Sequence, residues 1–131
     1  MIITISLSSG FITRQQSGFG TVIVDPQERG RIAVLTDGPY SPTKHSVTDF
    51  FVEDKYRKQG VGAGLIKEVI RRYRADIGAQ TSSVESTRLF YAMGFRPYVK
   101  PTASLPETVS MFKKNESLNM RYKSAATYEP E

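Results

Sequence analysis

The stretch that most constrains this chain runs from Ser46 to Gly64, SVTDFFVEDKYRKQGVGAG: an apolar strand (Val47 to Val52), a charged loop, and a glycine cluster that opens a helix. A glycine costs about 1 kcal/mol relative to alanine inside a helix, so Gly60, Gly62 and Gly64 in its first turn require a local reason. A helix start offers unpaired N–H groups and the positive end of the macrodipole, and missing β-carbons let an anion approach them closely. Arg57, Lys58 and Gln59 add two cations and an amide donor beside those amides, which suits a pyrophosphate. The competing reading is a flexible loop with solvated charges.

Spacing decides which phosphate ligand is meant. A dinucleotide-binding fingerprint needs G-x-G-x-x-G close behind its strand, whereas here the glycines run G-x-G-x-G and seven residues separate Val52 from Gly60. A Walker loop needs G-x-x-x-x-G-K-[ST], and after Gly64 come Leu65 and Ile66. What remains is R-x-x-G-x-G, spelled Arg57, Lys58, Gln59, Gly60, Val61, Gly62 and followed by Ala63. This resembles the acetyl-CoA-binding motif of the GNAT superfamily of N-acetyltransferases. The resemblance implies that the pyrophosphate of acetyl-CoA rests on the amides of this turn and that the pantetheine arm lies along the strand at Phe51 and Val52.

Whole-chain properties are compatible with that. The 131 residues suit one domain, taken as residues 1–123, with 124–131 (SAATYEPE) as a polar tail. The net charge of +5 favours anionic partners without choosing among a nucleotide cofactor, nucleic acid and an acidic protein surface. With no cysteine there is neither a disulfide nor a thiol nucleophile, and a single histidine argues against a structural zinc site, so no metal is expected. No apolar run approaches membrane-spanning length and the N-terminus lacks signal-peptide features, which makes the cytoplasm the default and a membrane role unexpected.

In chain order, Ile2 to Leu7 alternates as a first strand, and Ser8 to Gly20 reads as polar, glycine-bearing connection. Thr21 to Val24 and Arg31 to Thr36 form a hairpin across Asp25 to Gly30. Asp37 to Lys44, with two prolines and a glycine, is a loop. Gly60 to Arg74 is an amphipathic helix stopped by Asp76 and Gly78, with its arginines as a solvated face. Ala79 to Ser82 is a short strand, and Ser82 with Glu85 a capping box for a helix reaching Met93. Phe95 to Val99 is a strand, Leu105 to Lys114 a helix, and Leu118, Met120 and Tyr122 mark a last strand. The fold class is therefore α/β in the α+β sense: a mixed, mostly antiparallel twisted sheet with flanking helices, matching the GNAT order from the hairpin onward. The resemblance covers roughly residues 20 to 123.

The family's second signature is a helix carrying N-x-x-A-x-x-[FL]-Y that runs into G-F. Leu89, Gly94 and Phe95 match it. Two departures matter. The position of the general-acid tyrosine is Phe90, with Tyr91 one residue nearer the glycine, and one residue rotates a side chain about 100° around a helix. By the same count the asparagine becomes Ser83 and the alanine Ser86, which serve either the cofactor or the helix cap. At the front, the thirteen residues Ser8 to Gly20 cannot hold the two helices that the family places over the acceptor side, so these are missing or much shortened. Either the acceptor groove is open, as a large substrate would suit, or a second subunit of a homodimer closes it.

The chemistry implied by the resemblance is direct attack of an amine on the thioester of acetyl-CoA. A lysine-like amine with pKa near 10.4 is mostly protonated at neutral pH, so a base or a water chain removes a proton first. His45, Asp49 and Glu53 lie on or beside the strand, and Asp49 is the favoured base, although a bulge would reverse the face it occupies. Tyr91 is the candidate acid for the leaving thiolate. A backbone N–H near Val52 is the expected donor to the carbonyl oxygen. Two further readings stay open: a GNAT-like module that binds CoA or a partner with weak catalysis, and a nucleic-acid-directed acetyltransferase.

Overall fold

In the computed structural model, which describes residues 4–5, 10–37, 44–74 and 76–123, the first half of the chain is a strand meander. It comprises β1 (Thr4–Ile5), β2 (Ile12–Gln16), β3 (Gly20–Val24), β4 (Gly30–Thr36) and β5 (His45–Val52), each antiparallel to the next. After a single 3-10 turn (Asp54–Tyr56) follow α1 (Val61–Tyr73), β6 (Ile77–Thr81), α2 (Val84–Ala92), β7 (Arg96–Pro97), α3 (Leu105–Asn115) and β8 (Leu118–Tyr122). The sheet order is β1-β2-β3-β4-β5-β6-β8-β7, and β5–β6 is parallel because α1 carries the chain across between them. No helix among the described residues is long and apolar enough to cross a membrane.

The apolar runs VIV in β3 and IAVL in β4 are continuous rather than alternating because both sheet faces are covered there. Ile23, Ile32 and Val34 join Val47 in the main core under α1, where Leu65, Ile66 and Val69 are all buried. Burying one such side chain contributes about 1.5–3 kcal/mol. Their neighbours Val22, Val24 and Ala33 point the other way and form a second cluster with Ile12. Glu68 is the one charged residue in the buried stripe of α1: Arg71 and Arg72 both bond its carboxylate, and Arg72 goes on to Thr13 Oγ1 at 2.6 Å. Burial pushes the Glu68 carboxyl up, but the two guanidinium groups outweigh it and hold it below the usual glutamate range. The arginines at the end of α1 are thus not simply a solvated face, since Arg71 and Arg72 tie the helix to its own Glu68 and Arg72 also reaches β2.

Several boundaries differ from the sequence expectation. Ser8 to Gly20 contains a strand, β2, hidden by its polar composition because Arg14, Gln15 and Gln16 face water. Cross-strand pairing holds it, including Gln15 Nε2 to Thr21 Oγ1 at 2.9 Å, and no helix occurs among residues 10–20. The cap of α2 is Ser83 with Ser86 rather than Ser82 with Glu85, α1 ends at Arg74 in a left-handed conformation (φ 50°), and Gly78 lies inside β6. The expected strand over Phe95 to Val99 shrinks to β7. Most of the expected first strand, the centre of the proline loop (residues 38–43) and the tail 124–131 lie outside the described residues.

Candidate functional site

Two irregularities of β5 make the site. The ladder with β4 pairs Asp49 with Ala33 but Val47 with Val34, so Thr48 is an extra, bulged residue. On the other side, β5 pairs with β6 at His45–Ile77 and Ser46–Gly78 and then parts from it. From Val47 to Val52 the backbone edge facing β6 therefore lines a cleft of about 670 Å³ between the strands, within the range of small-molecule sites. One wall is β5 and the start of α1; the other is Gln80, Thr81, Ser82 and the first turns of α2.

The start of α1 closes one end. Gly60, its N-cap, sits at φ 81°, a left-handed conformation that costs glycine nothing, and provides no side-chain oxygen. Lys58 shares that conformation at φ 65°. The first helical bond runs from Gly64 N to Gly60 O, so the amides of Val61, Gly62 and Ala63 receive no side-chain cap, and all three residues line the cleft. By contrast, α2 and α3 are closed by reciprocal capping boxes, Ser83 with Ser86 and Ser104 with Glu107. The glycines divide by role. A β-carbon on Gly62 would lie 2.8 Å from Leu89 Cδ2 and 3.1 Å from Phe50 Cζ, so that glycine serves the packing of α1 on α2 and β5, whereas one on Gly64 would meet nothing within 4 Å.

The charged neighbours are not all aimed inward. Arg57 and Lys58 line the cleft, and Arg57 is held by Glu85 across the gap (Nη1 to Oε1, 2.9 Å) and by Asp54 (3.2 Å). Gln59 does not line it: its side chain donates to Lys55 O at 3.2 Å and pins the turn. Ser83 and Ser86 line the opposite wall, with their hydroxyls engaged in the α2 cap. Tyr56, Gln80 and Thr81 also line the cleft; nothing local in the sequence marked them, because the parting of β5 from β6 is what places them at its wall.

The floor is hydrocarbon. Phe90 is buried, edge-on to Phe50 (centroids 5.3 Å) and to Phe95 (4.9 Å), with Leu89 and Val52 beside it. Tyr91 does not line the cleft. Its hydroxyl donates to Ala103 O at 3.1 Å and its ring lies under the Arg96 guanidinium at 3.7 Å, so the one-residue offset turns it toward the loop before α3. That placement directs the Tyr91 hydroxyl away from the cleft.

Of the three candidate bases, Asp49 alone lines the cleft. It accepts from Arg31 Nε at 2.7 Å, and the same guanidinium covers the Phe51 ring at 4.9 Å. Asp49, Arg31 and Phe51 occupy the sheet face opposite the one where Phe50 meets α2. His45 sits at the far end of β5, bonded through Nδ1 to Thr36 Oγ1 (3.0 Å) and packed on Tyr73; burial, then Lys44, push its imidazole below the usual histidine range. Glu53 precedes the 3-10 turn, outside the lining. No group of three His, Cys, Asp or Glu side chains among the described residues is placed to hold a metal ion.

Comparison with known proteins bears on this geometry. Residues 32–104, more than half of the chain, match the model of the acetyltransferase (GNAT) domain. Solved structures that resemble the chain include a GNAT-family acetyltransferase from Staphylococcus aureus Mu50 (16% identity, 89% of this chain and 70% of that chain, TM-score 0.54). Nourseothricin acetyltransferase is similar at 17% identity, 89% of this chain, 67% of that chain and TM-score 0.55. N-acetylglutamate synthase from Neisseria gonorrhoeae, complexed with coenzyme A and N-acetyl-glutamate, aligns at 13% identity over 79% of this chain with TM-score 0.52; the chain spans 25% of that protein's length. At these identities the structures show a shared fold. Comparison with curated protein sequences gives no match.

Proposed function

The chain belongs to the GNAT acetyltransferase domain family, and from that premise we propose that it is an acetyl-CoA-dependent N-acetyltransferase acting on an amine carried by a protein, peptide or other large molecule. The observation that carries the cofactor assignment is the uncapped start of α1, with Arg57 and Lys58 beside it, at the end of a cleft walled by the open edge of β5. Acetyl-CoA supplies an activated acyl thioester: the amine nitrogen bonds to the carbonyl carbon, the carbon–sulfur bond breaks, and CoA leaves as a thiol.

The chain's residues divide the supporting work. The amides of Val61, Gly62 and Ala63 with Arg57 and Lys58 hold the phosphates, through hydrogen bonds assisted by charge. Backbone groups of Val52, which face away from β4 on the open β6 side, bind the extended arm as an added strand would, with Phe51 beside them, and an N–H of this edge stabilises the developing oxyanion. Phe50, Leu89 and Phe90 exclude water from the floor. Asp49, directly or through a water, takes the proton that a protonated amine must shed before attack. Phe90 has no proton to donate, so the leaving thiolate is protonated by water or by the proton released from the amine.

The acceptor class rests on the front of the fold. Where the family places two helices, residues 10–20 form only a strand and a turn, which leaves the β5 face carrying Asp49 and Phe51 without a helical cover from that segment. Calorimetric titration with acetyl-CoA, with desulfo-CoA and ADP as controls, tests the cofactor assignment, and micromolar binding is expected. If no acetyl-CoA binds at millimolar concentration, the enzyme reading fails. Mass-shift assays with peptides against small amines and aminoglycoside-like compounds then test the acceptor class; turnover of small amines alone would refute a large acceptor.

A further inference from the structure

Arg57 and Glu85 face each other from opposite walls of the cleft, the first on the loop before α1 and the second in the first turn of α2, and both line it. Their ion pair spans the mouth at 2.9 Å, and Asp54 takes the remaining Nε of Arg57 at 3.2 Å. The cation best placed to bind an incoming phosphate is therefore already surrounded by two carboxylates. On the reading that this end of the cleft receives the pyrophosphate of acetyl-CoA, we propose that Glu85 is a resident competitor for Arg57, and that the cofactor enters by exchanging its phosphate for the Glu85 carboxylate.

The exposure of the pair suits an exchange rather than a lock. The side chains of Arg57 and Glu85 are 47% and 55% exposed, so the bridge stands in water and is weak enough to yield. A diphosphate offers more negative charge and more acceptor oxygens than one carboxylate, and the amides of Val61 to Ala63 add to its side of the competition alone. Once displaced, Glu85 keeps the favourable position of an acid in the first turn of α2. Run in reverse, the same exchange expels product: Glu85 recaptures Arg57 as CoA departs, which lowers cofactor affinity and speeds release.

The test is a double-mutant cycle on the full chain, using Glu85→Gln, Arg57→Gln and both together, with acetyl-CoA affinity read by calorimetry at low and high salt and folding checked by thermal melting. Glu85→Gln is expected to tighten binding about 1.5- to fivefold at low salt, the order of one surface ion pair, with the gain shrinking as salt rises. In the Arg57→Gln background the gain should largely vanish, because there is no longer a cation to compete for. Unchanged or weaker binding by Glu85→Gln, with the unmodified chain binding normally, overturns the exchange and leaves the cofactor reading intact. An equal gain in both backgrounds also overturns it, since the effect is then direct repulsion of the phosphates. Failure of every form to bind acetyl-CoA refutes the cofactor reading itself and the exchange with it.

Discussion

Two alanine substitutions two residues apart, about half a helical turn, should separate the roles of the glycines in α1. Alanine gains about 1 kcal/mol over glycine within a helix, whichever of the two positions is changed. At Gly64 a β-carbon meets nothing within 4 Å, so Gly64→Ala should realise most of that gain. At Gly62 the new methyl would press Leu89 Cδ2 at 2.8 Å and Phe50 Cζ at 3.1 Å, an overpacking that costs about 1–3 kcal/mol. The nearest atom is the end of a flexible leucine, which places the cost toward the low end and leaves Gly62→Ala neutral to about 1 kcal/mol destabilised. For 131 residues, an unfolding entropy of about 2.1 cal/mol/K per residue converts 1 kcal/mol into roughly 4 °C. Gly64→Ala should thus raise Tm by up to about 4 °C, with Gly62→Ala lying roughly 4–8 °C below it. Because Leu89 and Phe50 also form the cleft floor, only Gly62→Ala should weaken acetyl-CoA in titration. Equal melting shifts for the two variants would refute the packing argument, and equal cofactor affinities would refute the placement of the floor.

Four further outcomes follow. Glu68→Ala strands two arginines, one of them mostly buried, and should cost roughly 2–3 kcal/mol in urea denaturation, the lower side of a broken buried pair because Arg71 can turn to solvent. Since the folded-state pKa of Glu68 lies below its ordinary 4.5, its contribution is complete above that pH and lost as the pH falls through the lower folded value; Glu68→Gln should flatten that acid limb in pH-dependent melts. Tyr91→Phe should leave turnover intact and cost about 1 kcal/mol of stability through the lost bond to Ala103 O, so a large fall in kcat would restore Tyr91 to the chemistry. Asp49→Asn should lower kcat/KM tenfold or more at neutral pH and shift the pH profile, while an unaltered profile would assign deprotonation to water alone.

How much of this was readable beforehand varies with the range of the interactions. Arg57 to Gly62 and the start of α1 were identified from a dozen residues, because a left-handed Gly60, an uncapped helix start and flanking cations are local matters. The α2 cap was misplaced by one residue, since Ser82 and Ser83 each have a partner three positions on (Glu85 and Ser86) and only the path of the chain from β6 selects between them. β2 escaped notice because its stability comes from pairing with β3 rather than from its own polar residues. Tyr91 illustrates the same limit: its offset was visible, but which way the offset turned it depended on Ala103 and Arg96, from elements further along the chain.

By itself, then, the amino-acid order determined most of the elements, the uncapped glycine turn before α1 and the family likeness, because propensity, capping and motif spacing act over a few bonds. Only the tertiary structure decided that Thr48 bulges, that β5 leaves β6 after Ser46, that Phe90 rather than Tyr91 faces the cleft, and that Glu85 reaches Arg57. Each of these is a matter of register or of packing between distant segments, settled by the burial of both sheet faces at once, and no local stretch of chain carries that information.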